Sequence, residues 1–120
     1  MSRETQKISV VMCTYNGAQY LDEQLDSICT QTYPNIEIIV VDDCSTDDTF
    51  EILKNHQSKD PRIQIFQNSE NIGFVQNFSK AIALATGAYI ALTDQDDIWK
   101  PYKLERFANE IQNHLLIYSD

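Results

Sequence analysis

Apolar and polar positions along the chain switch repeatedly between a short continuous period and a helical one. Ile8-Ser-Val-Val-Met-Cys13 is short, β-branched and apolar, the pattern of a buried strand. Tyr20, Leu21, Leu25 and Ile28 recur at helical spacing and predict a first helix running to about Thr30. The turn Tyr15-Asn16-Gly17 precedes it, with Asn16 as the expected cap. Tyr33-Pro34-Asn35 breaks that helix, and Ile36 to Val41 predicts a second strand, apolar except for Glu37. Ser45-Thr46-Asp47-Asp48 is expected to open a second helix with a hydroxyl cap and acids in its first turn; Phe50, Leu53 and Ile52 face inward.

The same alternation continues. Arg62 to Gln67 predicts a third strand with Ile63 and Ile65 on one side. After Gly73, Phe74, Phe78, Ile82 and Ala85 form the inward stripe of a third helix. Ala88 to Leu92 is a fourth strand that ends at Thr93-Asp94. Pro101 opens a fourth helix with Leu104, Phe107, Ala108 and Ile111 inward, and Leu115 to Tyr118 begins a fifth strand. Strand and helix in this order predict an α/β, Rossmann-like parallel sheet covered by helices, in the order βαβαβαβαβ. Ligands of such sheets bind outside the carboxyl ends of the strands.

Charge sharpens that expectation. The 120 residues carry 9 basic and 18 acidic side chains, a net charge of −9. That balance argues against nucleic acid or an anionic membrane surface as the main partner. Seven of the aspartates lie in two tracts, Asp42 to Asp48 and Asp94 to Asp97. Each tract starts where a strand ends, as does Thr14-Tyr15. Asp47 and Asp48 suit a helix N-terminus, whose dipole favours acids. Asp42 and Asp43 sit at the strand end, where a carboxylate can accept from a nucleobase ring N–H or a ribose hydroxyl. Tyr15 can stack on a base or pack on the first helix. Asp94-Gln-Asp-Asp97 crowds three carboxylates, a charge that a hard divalent cation, Mg2+ or Mn2+, compensates.

Other chemistries are excluded. Three glycines, Gly17, Gly73 and Gly87, build neither a dinucleotide fingerprint nor a Walker loop. The most apolar stretch, Ala81 to Leu92, is about a dozen residues where spanning a bilayer takes about 18 or more, so no transmembrane segment is expected. Cys13, Cys29 and Cys44 lack CxxC spacing and read as reduced structural thiols, and His56 and His114 do not make a zinc set.

Ser9-Val-Val-Met-Cys-Thr-Tyr-Asn16, Val40-Val-Asp-Asp-Cys-Ser-Thr-Asp47, Asn71-Ile-Gly73 and Thr93-Asp-Gln-Asp-Asp-Ile-Trp-Lys-Pro101 resemble the successive motifs of glycosyltransferase family 2. The Asp-Gln-Asp-Asp-Ile-Trp form resembles the branch that contains rhamnosyltransferases. The resemblance covers Lys7 to Tyr118 and implies a GT-A fold whose sheet is cut after the fifth strand. Residues 1–120 would then be the nucleotide-sugar-binding portion of a larger domain, with the acceptor-binding portion and its general base absent, so no catalytic residue is assigned. The resemblance implies an inverting, metal-assisted transfer from a UDP- or dTDP-sugar to a saccharide or lipid-linked saccharide acceptor. Thr14 and Tyr15 would border the base, Asp43 would contact its edge and Asp42 would support Asp43. Asp94 would lie nearer the ribose and Asp96 on the Mn2+ or Mg2+, with Asp97 behind them. Cys13 stands where many members carry proline, and Ser79 where asparagine is frequent. The implied location is the cytoplasm, with the full-length enzyme peripheral at the inner face of the membrane.

Three rival readings use the same residues. A receiver domain also pairs aspartates at a strand end, but on its first strand, whereas Asp42-Asp43 ends the second. A nucleotidyltransferase needs an early basic glycine-rich loop, which Thr14-Tyr15-Asn16-Gly17 does not supply. A degenerate nucleotide-binding module would keep the fold and lose the metal.

Overall fold

Every residue of the first strand, β1 (Ile8–Thr14), is buried, and so is every residue of the second, β2 (Ile36–Asp42). Burial of both faces is what their unbroken apolar runs require. The computed structural model describes residues 6–93 and 97–113, with side chains described to residue 110. Between them runs α1 (Ala18–Cys29), and after β2 come α2 (Thr49–Lys59), β3 (Ile63–Gln67), α3 (Phe74–Leu84), β4 (Tyr89–Thr93) and α4 (Lys103–Asn113). The strands form one parallel sheet in the order β3-β2-β1-β4. The Rossmann-like alternation is therefore as predicted. The fifth strand expected at Leu115 to Tyr118 lies outside the described residues.

Alternate residues of β1 and β2 serve two cores. Val10, Met12, Ile38 and Val40 pack with Leu21, Leu25 and Ile28 of α1, Leu53 of α2, and Leu104, Phe107 and Ala108 of α4. Val11, Cys13, Ile39 and Val41 pack against Ala81 of α3 on the opposite face. Each fully buried aliphatic side chain contributes about 1.5–3 kcal/mol.

Several local expectations are corrected. Tyr20 is exposed; Gln24 takes the inward position on α1 beside Leu21, Leu25 and Ile28. On α3 the stripe is rotated: Phe74 and Ile82 are exposed, and Asn77 and Ala81 are buried. A polar residue wins the inward face because it has polar partners there, described below. α4 begins at Lys103, two residues after Pro101, which sits in the preceding turn.

The helix starts differ most. Gly17, with no side-chain cap, precedes α1, and Asp48, also without one, precedes α2. Asn16 has a left-handed backbone (φ 50°), and its Oδ1 accepts from the N–H and hydroxyl of Thr46 instead. Asp47 serves both helices: its carboxylate accepts from Ala18 N at 3.3 Å and from Thr49 N at 3.0 Å. The expected hydroxyl cap fails because Ser45 donates to Asp42.

Candidate functional site

At the carboxyl edge of the sheet the chain turns abruptly after β1, after β2 and before α3. Among the described residues the three with positive φ all lie there: Asn16 (50°), Cys44 (63°) and Gly73 (90°). Such backbone is uncommon outside glycine. Gly73, at ψ 161°, occupies a region that is essentially glycine-only, although a Cβ there would meet no atom within 4 Å. Backbone conformation, not space, selects glycine at this position.

These turns enclose a cleft of about 300 Å3, lined by Cys13, Thr14, Tyr15, Asp43, Asn71, Gly73, Phe74, Asn77 and Phe78. Tyr15, 45% exposed, stands at its rim. Phe74 and Phe78 meet edge to face, 4.8 Å between ring centroids, and make an aromatic wall. Cys13 is buried in the lining. Burial, and then the neighbouring Asp43 charge, push its thiol up to about 12, so it keeps its proton. Cys13, Cys29 and Cys44 are all free thiols.

The adjacent aspartates have different surroundings. Asp42 is fully buried and is not part of the cleft lining. Its carboxylate accepts from Thr14 Oγ1 (2.7 Å), Ser45 Oγ (2.6 Å), Ser45 N (2.9 Å) and Gln67 Nε2 (3.2 Å). It ties the ends of β1, β2 and β3 together. Asp43, 4% exposed, is part of the lining. Its Oδ1 accepts from Asn68 Nδ2 (2.9 Å) and Ile72 N (2.8 Å), and its Oδ2 from Gly73 N (2.9 Å). Burial alone would raise its pKa. The Ile72, Asn68 and Gly73 donors, with Lys80 nearby, outweigh burial and hold it below the usual carboxylate range.

The described residues on either side of the second tract bond to α1 and to Gln31 just after it. Gln24 Nε2 donates to Thr93 Oγ1 at the end of β4. Ser27 Oγ accepts from Trp99 N, and the Gln31 side chain donates to Lys100 O and accepts from Leu104 N. Asp97 is half-buried and accepts from the Trp99 indole at 3.2 Å. Asp94 and Asp96 lie outside the described residues. Among the described residues no group of three or more His, Cys, Asp and Glu could hold a metal ion, and no helix is long and apolar enough to cross a membrane.

Of the residues singled out in the sequence, Thr14, Tyr15 and Asp43 come together at the cleft. The lining asparagines Asn71 and Asn77 and the Phe74–Phe78 wall were not assigned roles. Asn77 stands off the predicted inward stripe of α3, so the hydrophobic pattern carries no signal for it.

The model of "Glycosyl transferase family 2" matches residues 9–118. The chain is 40% identical over 107 residues to an uncharacterized glycosyltransferase of Haemophilus influenzae, covering 89% of this chain and 33% of that protein. Among solved structures, S. aureus TarS 1-349 in complex with UDP-GlcNAc aligns with a TM-score of 0.84 and 33% identity, covering 91% of this chain and 32% of that one. The mannosyltransferase PcManGT from Pyrobaculum calidifontis, in complex with GDP-Man and Mn2+, aligns with a TM-score of 0.77 and 30% identity, covering 88% and 31%. The chain thus spans about a third of the length of each of these relatives.

Proposed function

The chain belongs to glycosyltransferase family 2, and from that premise we propose that it is the donor-binding portion of an enzyme that moves a sugar from a nucleoside-diphosphate carrier to an acceptor hydroxyl. The observation that carries this reading is Asp43. It is a buried, ionised carboxylate in the lining of a cleft at the carboxyl edge, with an exposed tyrosine at the rim. Asp43 accepts from the base, and Tyr15 stacks on it. Thr14 shapes the cleft by its backbone, because its hydroxyl is committed to Asp42.

Asp94 and Asp96 would hold a divalent ion, Mn2+ or Mg2+, whose chemistry is to neutralise the diphosphate as a leaving group. The Mn2+ in the related mannosyltransferase structure supports a metal of this kind. The donor is a UDP- or dTDP-hexose or deoxyhexose, the acceptor a saccharide or lipid-linked saccharide, and the outcome inversion.

Calorimetric titration with UDP and dTDP, with and without Mn2+, tests the reading. Binding is expected to require the metal, to fall at least roughly tenfold in Asp43→Asn and to be lost in Asp96→Ala. Absence of binding to either nucleotide in the presence of Mn2+ rejects it.

A further inference from the structure

Asp43 does not stand alone. Behind it lies a chain of side chains whose donor and acceptor ends all point one way. Asn68 is 5% exposed, and its Nδ2 donates both to Asp43 Oδ1 (2.9 Å) and to Asn77 Oδ1 (2.8 Å). Its own Oδ1 accepts from Lys80 Nζ at 2.6 Å. Asn77 is oriented in turn, because its Nδ2 donates to Val41 O at 3.0 Å. Neither amide can flip without setting a donor against a donor at the lysine or an acceptor against an acceptor at a carboxylate or carbonyl. A positive charge therefore ends the chain at Lys80, and a negative one ends it at Asp43. The sequence of polar groups between them strengthens both.

The count at Asp43 has a chemical consequence. A carboxylate offers about four acceptor positions. Among the described residues two donors occupy Oδ1 and one occupies Oδ2. The position left is on Oδ2, and it can only accept.

We propose that Asn68 and Lys80 are positioning residues for the nucleotide: the Lys80–Asn68 relay holds Asp43 in one orientation as an acceptor-only group, so that the cleft takes bases with a ring N–H and rejects those with a bare ring nitrogen. This rests on the donor-binding reading of the cleft. Uracil, thymine and guanine present such an N–H, whereas cytosine and adenine present a lone pair that an oriented carboxylate repels. Among the described residues the Cys13 thiol from β1 also faces Asp43 and is neutral, and Tyr15 lines the same cleft. Asp42 bonds to Thr14, Ser45 and Gln67 instead, and Lys80 from α3 is the cation.

The test is titration of UDP and CDP, with Mn2+, between pH 4.5 and 8, for the protein and for Lys80→Met, Lys80→Arg and Asn68→Leu. Lys80 is exposed, so its variants are expected to fold; circular dichroism checks Asn68→Leu. The unsubstituted protein is expected to prefer UDP over CDP by roughly tenfold or more at neutral pH; the profile followed is the UDP/CDP affinity ratio, in which the titration of the shared diphosphate, near about pH 6, cancels. Lys80→Met should weaken UDP binding several-fold, narrow the UDP–CDP gap and move the acid limb of the profile to higher pH, and Lys80→Arg should restore all three. A merely structural role would leave that limb in place. UDP binding with unchanged affinity and pH profile in both Lys80→Met and folded Asn68→Leu overturns the relay while the donor-binding reading stands. Equal binding of UDP and CDP by the unsubstituted protein overturns the selection. Failure to bind any nucleotide removes the underlying reading and the relay with it.

Discussion

At each end of the sheet a buried carboxylate is held by donors from separate segments, and the one at the carboxyl end, Asp43, lines the cleft. At the amino end Glu37 of β2, 5% exposed, accepts from Ser9 of β1, from the N–H (2.7 Å) and hydroxyl (2.9 Å) of Thr86, and from Gln64 of β3 (3.3 Å). Lys7 lies 3.8 Å away. Ser9 Oγ in turn accepts from Gly87 N. At the carboxyl end Asp43 is as deeply buried, and donors likewise come to it from separate segments. Burial would raise both pKa values, and in both cases the donors reverse the shift. The difference lies in spare capacity. Both oxygens of Glu37 accept more than one hydrogen bond, whereas Oδ2 of Asp43, a residue of the cleft lining, accepts one among the described residues. A perturbed buried carboxylate is thus no mark of function by itself. Unfilled capacity beside a cleft is the more discriminating feature.

Substituting each carboxylate should separate the two roles. Glu37→Ala leaves the Thr86 N–H, the Thr86 hydroxyl and Ser9 without their acceptor, a loss of about 3 kcal/mol, read as a lower urea midpoint. Nucleotide affinity of the folded protein should not change. Asp43→Asn should show the opposite balance: about 1–2 kcal/mol in stability and a larger loss in nucleotide affinity. The contrast breaks if Glu37→Ala stays folded and loses nucleotide.

Glycines at the two ends give the next largest effects, for unrelated reasons. A Cβ on Gly87 would lie 2.7 Å from Ser9 Oγ, 2.8 Å from Lys7 O and 2.9 Å from Ser9 N. Two of these are backbone atoms, so Gly87→Ala should cost about 1–3 kcal/mol. Its effect should be confined to the melting temperature. Gly73→Ala meets no atom but must adopt φ 90°, at a cost of about 1–2 kcal/mol. Because the Gly73 N–H donates to Asp43, this variant should also weaken nucleotide binding. Equal loss of binding in both variants would mean that the two ends are coupled through the sheet.

The strand–helix order was readable because β1 and β2 are unbroken apolar runs and the helices carry stripes at a 3.6 period. The edge that bears the cleft followed from where those runs stop. What the sequence hid is side-chain commitment over long separations. Asn16 and Asp47 look like local caps, yet Asn16 bonds to Thr46 and Asp47 bonds to the N-termini of two helices. Asp42 and Asp43 are neighbours in sequence, yet Asp42, the last residue of β2, locks β1 to β3, while Asp43, one residue past the strand, lines the cleft. The α3 stripe failed because Asn77 has Asn68 and Val41 O to bond, so a polar side chain is buried while Phe74 joins the cleft wall. Glu37 read as one polar interruption of a strand, because its partners come from β1, β3 and the segment before β4.

The smallest expected effect is the dependence of the two ends on acid. Glu37 and Asp43 both have folded pKa values below their unfolded ones, which lie near about 4. Their stabilisation is therefore fully present above that range and is lost as pH falls through the folded values. Both ends thus weaken on the same side of neutrality, and an acid melt of the protein alone does not tell them apart. A nucleotide does. On the proposed reading it would bind the folded state, and its ring N–H would add a further donor to ionised Asp43 while leaving Glu37 untouched. Saturating UDP and Mn2+ should move the acid midpoint downward by less than about one pH unit. In Asp43→Asn that shift should nearly vanish, whereas Glu37→Gln should start from a higher midpoint and show the full shift. A full shift in Asp43→Asn would place the nucleotide away from this carboxylate and return Asp43 to the same structural role as Glu37.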